Sequence, residues 1–302
     1  MESNLEKSIL ILGATGFVGK NISLKLLPNY SLFTTVRDET KFSKNIIYFD
    51  IKEKTSWENI KKINPTIIIN CIGYGVVKTE ICVNSIFEIN YFSTVKFYNY
   101  LSIKLPKCKI IHIGTAFEYD LSCSELIETT PQLPLTYYGL SKLMASQYLL
   151  NNKISNPFII LRPFNMFGQF ESESKIIPFL ILAQKHKKVI DLSEGLQERD
   201  YFYVGDLANF ILKIVKKNNF EELPKCVNVG TGKSISIKEL ANCISFLLPE
   251  YNPKFWNWGA LPQRTDEYFK FYNASNIARE LGFKEIDLKI HLLTTIQHYW
   301  NL

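Results

Sequence analysis

Two rhythms alternate along the first half of the chain. Short apolar runs rich in β-branched residues read as strands: Ser8–Leu12, Leu32–Val36, Ile46–Phe49, Thr66–Cys71, Lys109–Ile113 and Pro157–Leu161. Longer amphipathic segments lie among them. Phe17–Leu27 and Thr136–Leu150 read as helices, and Thr79–Ile103 as one long helix. Strands that are apolar at nearly every position are covered on both faces, and strands separated by helices run parallel. The pattern therefore predicts an α/β fold built on a doubly wound parallel sheet. After Arg162 the alternation becomes irregular, with more turns and aromatics. That change predicts a smaller α/β C-terminal domain, partly interleaved with the first. The division falls at 1–165 and 166–302, with Lys225–Val229 expected to return to the main sheet as a strand.

Composition narrows the class. The 302 residues are 46% hydrophobic and 21% charged, enough apolar material for one large domain or two joined ones. No run approaches the ~20 apolar residues of a membrane span. The stretch Met1 to Lys7 is polar and acidic and resembles neither a signal nor a transit peptide. Cysteines 71, 82, 108, 123, 226 and 243 include no C-x-x-C pair. This argues against a zinc site or disulfide framework and for buried thiols in a reduced, cytoplasmic protein. The net charge of +6 fits an anionic partner without choosing one. The runs Lys61-Lys62, Lys185 to Lys188 and Lys216-Lys217 read as solvated helix faces. No aromatic-interleaved basic patch suggests nucleic-acid binding.

Chemistry enters with Gly13-Ala14-Thr15-Gly16-Phe17-Val18-Gly19, which joins the first strand to the first helix. In that context the glycines serve a tight turn, close backbone approach to a pyrophosphate, and close packing of helix on strand. The free N–H groups of the helix start then face the phosphates. This is the Rossmann dinucleotide-binding arrangement. The second strand ends in Thr35-Val36-Arg37-Asp38. An acid there bonds the ribose 2′-hydroxyl of NAD, whereas an arginine accommodates the 2′-phosphate of NADP. Arg37 comes first and favours NADP, with NAD possible because Asp38 follows. Asp50, after the third strand, is placed to reach the adenine.

Tyr138 and Lys142 lie four apart on one predicted helix face. An ammonium one turn from a phenol stabilises the phenolate and makes tyrosine usable for proton transfer. Together with the glycine loop and with Thr115 at a strand end, the sequence resembles the short-chain dehydrogenase/reductase superfamily. Its length and second half are similar to the extended branch, the nucleotide-sugar epimerases, dehydratases and reductases. The likeness runs through Glu88-Ile89-Asn90, Gly114-Thr115-Ala116-Phe117-Glu118-Tyr119 and Leu161-Arg162-Pro163-Phe164-Asn165. It continues through Glu198-Arg199-Asp200-Tyr201, Asn228-Val229-Gly230-Thr231-Gly232 and Pro262-Gln263-Arg264. The resemblance implies a catalytic set of Thr115, Tyr138 and Lys142. It implies cofactor contacts from Gly13, Thr15, Gly16, Phe17, Val18, Gly19, Arg37, Asp50, Ile51, Cys71, Asn90, Tyr138 and Lys142. It gives the substrate, a nucleotide-diphospho-sugar, to Thr115, Asn165, Arg199 and Arg264. Asp206, after Val204-Gly205, reads as a helix N-cap.

The branch's 4,6-dehydratases carry an Asp-Glu pair directly after the catalytic threonine. Here Ala116 and Phe117 stand in those places, and neither moves a proton. A cysteine near Ala116, as in fucose-synthase-like epimerase/reductases, is also missing, and His186 reads as a surface residue. What remains is a 4-ketoreductase or a 4-epimerase. The stretch Gly259-Ala260-Leu261-Pro262-Gln263-Arg264-Thr265-Asp266-Glu267 is similar to that of abequose-synthase-type enzymes, which reduce a CDP-4-keto-3,6-dideoxyhexose with NADPH. A reductase is the expectation, an NAD-dependent 4-epimerase the alternative, and a non-catalytic dinucleotide sensor a second class. Trp256 and Trp258 read as packing residues of the second domain. The aromatic stripe Phe87, Tyr91, Phe97, Tyr98 suits either a homodimer interface, common in the family, or the core.

Overall fold

The computed structural model describes residues 7–41, 43–76, 79–151, 153–262 and 269–301. The chain runs through β1 (Ser8–Leu12), α1 (Phe17–Leu26), β2 (Ser31–Val36), β3 (Ile46–Tyr48), α2 (Lys54–Ile63) and β4 (Ile67–Asn70). There follow α3 (Val83–Phe87), α4 (Thr94–Lys104), β5 (Lys109–Ile113), β6 (Glu125–Leu126), α5 (Tyr137–Leu150) and β7 (Phe158–Pro163). Next come β8 (Asn165–Phe167), α6 (Ile176–Lys185), β9 (Ile190–Asp191), β10 (Glu198–Arg199), β11 (Tyr201–Tyr203) and α7 (Val204–Lys216). The chain closes with β12 (Cys226–Val229), β13 (Ile235–Ser236), α8 (Ile237–Leu247), β14 (Trp256–Asn257), β15 (Lys270–Asn273), α9 (Ile277–Glu280) and α10 (Leu288–Trp300).

Among the described residues the main sheet has the order β3-β2-β1-β4-β5-β7-β12, with every neighbouring pair parallel. This is the doubly wound α/β fold that the apolar runs predict. Alternate side chains of each strand enter different cores. Ile9, Ile11, Ile67, Ile69, Ile111 and Ile159 join one face with α1 and α7. Leu10, Leu12, Ile68, Ile110 and Ile160 join the other with α2 and α4. A third core, from α6, α8 and α10, fills the second lobe. Trp256 packs there, its indole N–H donating to the Leu180 carbonyl at 3.1 Å.

The halves interleave. β12 pairs with β7 in the main sheet. β6, from residues 125–126, pairs with β15 in a four-stranded sheet of the second lobe. Asp200 fastens the crossing. Its buried carboxylate accepts Thr231 N–H (2.8 Å), Thr231 Oγ1 (2.7 Å), Gly232 N–H (2.9 Å) and Asn273 N–H (3.1 Å).

Three expectations are corrected. The segment read as one helix over Thr79–Ile103 begins at Val83, and a π-helical turn, Glu88–Ser93, interrupts it. Asp206 is no N-cap, since α7 starts at Val204 with Tyr203 in that position. Asp206 is buried in the first turn, where it bonds His291 Nε2 (3.1 Å) and the Ile286 N–H (3.3 Å), and His291 stacks on Tyr203. Of the cysteines expected to be buried, only Cys108 is fully so. Cys82 is exposed, and all six are free. The aromatic stripe divides, with Phe97 and Tyr98 in the core and Phe87 and Tyr91 half-buried. Among the described residues no helix is long and apolar enough to cross a membrane.

Asp206→Ala strands a buried histidine and an N–H group. It should lower unfolding free energy by about 2 kcal/mol in a denaturant titration; an unchanged midpoint contradicts the clasp.

Candidate active site

The site lies at the carboxyl ends of the strands, where the order reverses between β1 and β4. Gly13 turns the chain out of β1 with φ of 73°, a conformation that glycine alone adopts freely. Gly19 lies against that turn, and a Cβ there would sit 2.3 Å from the Gly13 carbonyl oxygen. The helix therefore starts close under the sheet edge. Its first turn has no side-chain cap and no acid, so its N–H groups are left for an anion.

A cavity of about 240 Å³ opens beside it, lined among others by Gly13, Thr15, Gly16, Arg37, Asp50, Ile51 and Cys71. These are seven of the sequence-predicted cofactor positions. Phe17, Val18 and Gly19 form the first turn of α1 instead. Lys52, which the sequence reading passed over, also lines the cavity. Asp50 Oδ1 accepts the Lys52 N–H at 2.9 Å, and Ser56 Oγ donates to the Asp50 carbonyl at 2.9 Å. Asp38 is committed locally. Its Oδ1 accepts Thr40 N–H (3.0 Å) and Thr40 Oγ1 (2.6 Å), and its Oδ2 pairs with Lys41 at 3.3 Å. These hydrogen bonds, and then Lys41, hold its carboxyl below the usual range. Arg37 is thus left as the residue of the pair that lines the cavity.

The three residues expected to be catalytic come from two elements. Thr115 follows β5 and opens the short 3₁₀ turn Ala116–Glu118. Tyr138 and Lys142 lie on α5, which Thr136 caps by accepting the Gly139 N–H at 3.0 Å. Gly139 allows α5 to lie against the turn, because a Cβ there would meet the Phe117 carbonyl oxygen at 2.3 Å. Burial raises the Tyr138 pKa above the ordinary phenol value, and Glu118 raises it further. The Thr115 hydroxyl pulls the other way, and Glu80 adds to the rise. Lys142 is 2% exposed. Burial lowers its pKa to about 8, while Glu118 and the Cys71 thiol oppose the fall. Burial pushes the Cys71 thiol itself up to about 12, so it stays neutral. The ammonium expected to lower the tyrosine's pKa is present on the helix, yet the protein's own charges act in the opposite direction.

Asn90, expected at the cofactor, sits in the π-turn. Its amide donates to the Tyr74 carbonyl (2.8 Å) and to Ser141 Oγ (2.9 Å), and its oxygen accepts the Tyr74 N–H (2.9 Å). It thereby ties the loop after β4 to α5. The proposed substrate residues differ in placement. Asn165 Oδ1 is buried and has no hydrogen-bond partner among the described residues. The Arg199 guanidinium lies over Phe271 and donates to the carbonyls of Glu198 (2.8 Å) and Phe269 (3.2 Å). Arg264 lies outside the described residues. Lys175, at the start of α6, reaches across from the second lobe to the Val76 carbonyl at 2.7 Å.

The sequence reading missed Glu118 and Arg162. Both are fully buried, and Arg162 Nε meets Glu118 Oε2 at 2.8 Å. Thr115-x-x-Glu118 carries the signature of a capping box, which is the signal that could have found one of them. The partner, 44 positions away, leaves no local mark.

A family model described as the NAD dependent epimerase/dehydratase family matches residues 9–230. The chain belongs to that family. It is 28% identical over 298 residues to a protein of Methanocaldococcus jannaschii called putative UDP-glucose 4-epimerase, covering 93% of this chain and 94% of the relative. It is 26% identical over 300 residues to the CDP-abequose synthase of Salmonella muenchen, covering 93% of each. The UDP-N-acetylglucosamine 4-epimerase of Methanobrevibacter ruminantium, solved with UDP-N-acetylmuramic acid, superposes with a TM-score of 0.83 at 19% identity. That match covers 98% of this chain and 99% of the other. The UDP-glucose 4-epimerase of Thermus thermophilus, solved with NAD, gives 0.82 at 17% identity, covering 97% and 98%. At these identities the superpositions establish a shared fold.

Proposed function

We propose that the protein reduces the 4-keto group of a nucleotide-diphospho deoxysugar with NADPH. The observation that carries this reading is the hydrogen bond between the side chains of Thr115 and Tyr138, with buried Lys142 one turn further along α5 and coupled to Cys71, which lines the glycine-loop cavity. Thr115 orients the substrate carbonyl, and Tyr138 gives its proton to the oxygen as the alkoxide forms. Bound NADPH supplies the hydride. Lys142, held as an ammonium below about pH 8, steadies the tyrosine and the nicotinamide ribose. Arg37 takes the 2′-phosphate, since an arginine fork suits phosphate oxygens and Asp38 is engaged with Thr40 and Lys41. The first lobe serves the dinucleotide. The second, with Arg199 and with Asn165 at the boundary, serves the sugar nucleotide.

Ala116 is fully buried and the Phe117 ring packs on Phe271, so no acid–base pair follows Thr115 as dehydration needs. The relative named CDP-abequose synthase supports reduction through the likeness of residues 259–267 to that type of enzyme, and the one named GDP-L-colitose synthase, 26% identical over 267 residues, supports a nucleotide-sugar substrate. The relative called putative UDP-glucose 4-epimerase favours a second reading, oxidation and re-reduction at C4 on retained NAD. The test is NADPH oxidation against CDP-, dTDP-, GDP- and UDP-4-keto sugars. Consumption with one of them supports the reductase, and tightly bound NAD without consumption selects the epimerase.

Tyr138→Phe should lose roughly a hundredfold or more of kcat while its NADPH Kd, read by fluorescence, stays close to wild type. Because the Lys142 ammonium is lost as pH rises through about 8, wild-type kcat/KM should fall on that alkaline side.

Arg37→Ala should weaken NADPH about tenfold or more and NADH little. Equal losses for both cofactors in calorimetry would remove the case for a 2′-phosphate site.

Ile81, Phe92, Leu133, Leu135 and Tyr137 expose large apolar surface on or beside α3 and α5, and a second copy of the chain is their proposed cover. Sedimentation at micromolar concentration should read a dimer; a monomer refutes it.

A further inference from the structure

We propose that Glu118 is a positioning residue of the reaction: clamped by Arg162, it holds the Thr115 backbone and fixes a negative charge in the turn against which α5, the helix of Tyr138 and Lys142, is packed. The inference rests on the reading of Tyr138 as proton donor and extends it to a residue that touches neither substrate nor cofactor.

One carboxylate does both tasks. Its Oε1 accepts the Thr115 N–H at 3.0 Å, fixing the backbone that presents the hydroxyl. Its Oε2 receives Arg162 Nε at 2.8 Å. Arg162 is held in turn, donating to the Tyr119 hydroxyl at 2.8 Å with its guanidinium over the Tyr119 ring. That hydroxyl donates to Asn228 Oδ1 at 2.7 Å. The pair is therefore oriented, with its negative end toward Thr115 and its positive end toward Tyr119. Gly114 leaves room for this arrangement, because a Cβ there would stand 2.5 Å from Glu118 Oε1. An ion pair this deep is a weak stabiliser, since desolvation offsets most of its attraction.

The charges around the donor give the pair its effect. The charges of Glu118, on the 3₁₀ turn, and of Glu80, in the loop after β4, both oppose ionisation of Tyr138. Glu80 is occupied by the N–H groups of Gly75 (2.7 Å) and Val76 (3.0 Å). The charge of Glu118 likewise favours the ammonium form of Lys142, with the neutral Cys71 thiol nearby at the end of β4. His112 on β5 and Arg162 on β7 complete the surroundings, and burial followed by Lys142 and Arg162 keeps His112 neutral. Glu118 is the anion common to Tyr138 and Lys142, and it opposes proton loss from each. That bias favours a site that donates a proton to a carbonyl oxygen.

The test is the alkaline limb of the rate. Glu118→Gln keeps an acceptor for the Thr115 N–H and removes the charge. The limb should move down by about one pH unit, so that at pH 8.5 turnover falls about tenfold below wild type. Glu118→Asp should restore the limb toward its original pH. A purely structural role lowers the melting temperature or scales the rate at every pH and leaves the limb in place, which overturns the proposal. Should Glu118→Gln fail to fold, Glu118→Gln combined with Arg162→Met removes the stranded guanidinium. It should show the same direction of shift, and an unmoved limb there is equally fatal. If the wild type proves an epimerase, the limb is read from interconversion instead. Wild type inactive on every nucleotide sugar overturns the functional reading and this inference with it. Activity with an unmoved limb overturns the inference alone.

Discussion

A parallel sheet covered on both faces can meet a ligand only at its ends. With α1 and α7 over one face and α2 and α4 over the other, side chains along β1, β4, β5 and β7 are taken up by packing. Chemistry is therefore confined to the few residues where each strand stops. Gly13 follows β1, Arg37 follows β2, Asp50 follows β3, Cys71 follows β4 and Thr115 follows β5. Their convergence needs no separate explanation once the strands are parallel and the order reverses between β1 and β4.

The second half is a partner to that edge rather than an appendix. β12 completes the main sheet, β6 is lent to the other lobe, and Asp200 holds three segments of both with a single carboxylate. Such buried polar joints are costly if half satisfied, and this one is filled on both oxygens. The Asp206–His291 clasp does the same for α10. The lobes thus share a frame held by fixed side chains.

The sequence made local chemistry readable and left distant pairing obscure. The glycine loop and the Tyr138–Lys142 spacing are written within a few residues, so periodicity and spacing expose them. The strands were legible because covering both faces demands unbroken apolar runs. Asp206 was misread because a small acid after Val204-Gly205 resembles a cap, and only His291, 85 residues on, gives it another role. Arg162 belongs to a strand that reads as apolar, and nothing near it announces Glu118. The π-turn was hidden for a different reason: one extra residue in a helical turn hardly alters a hydrophobic pattern read over a window.

That extra residue has a geometric consequence. Each helical residue advances about 100° around the axis. The widened turn at Glu88–Ser93 therefore resets the phase of everything after it. Ile86, ahead of the turn, packs beside Gly75. Phe97, Tyr98 and Leu101, beyond it, point into the sheet core. Asn90 occupies the widened part and reaches sideways to Ser141 on α5. A regular helix of the same residues would have to give up one of these three appointments. The irregularity works like a splice between two differently oriented rods, letting one continuous segment serve the active-site rim at one end and the protein's interior at the other.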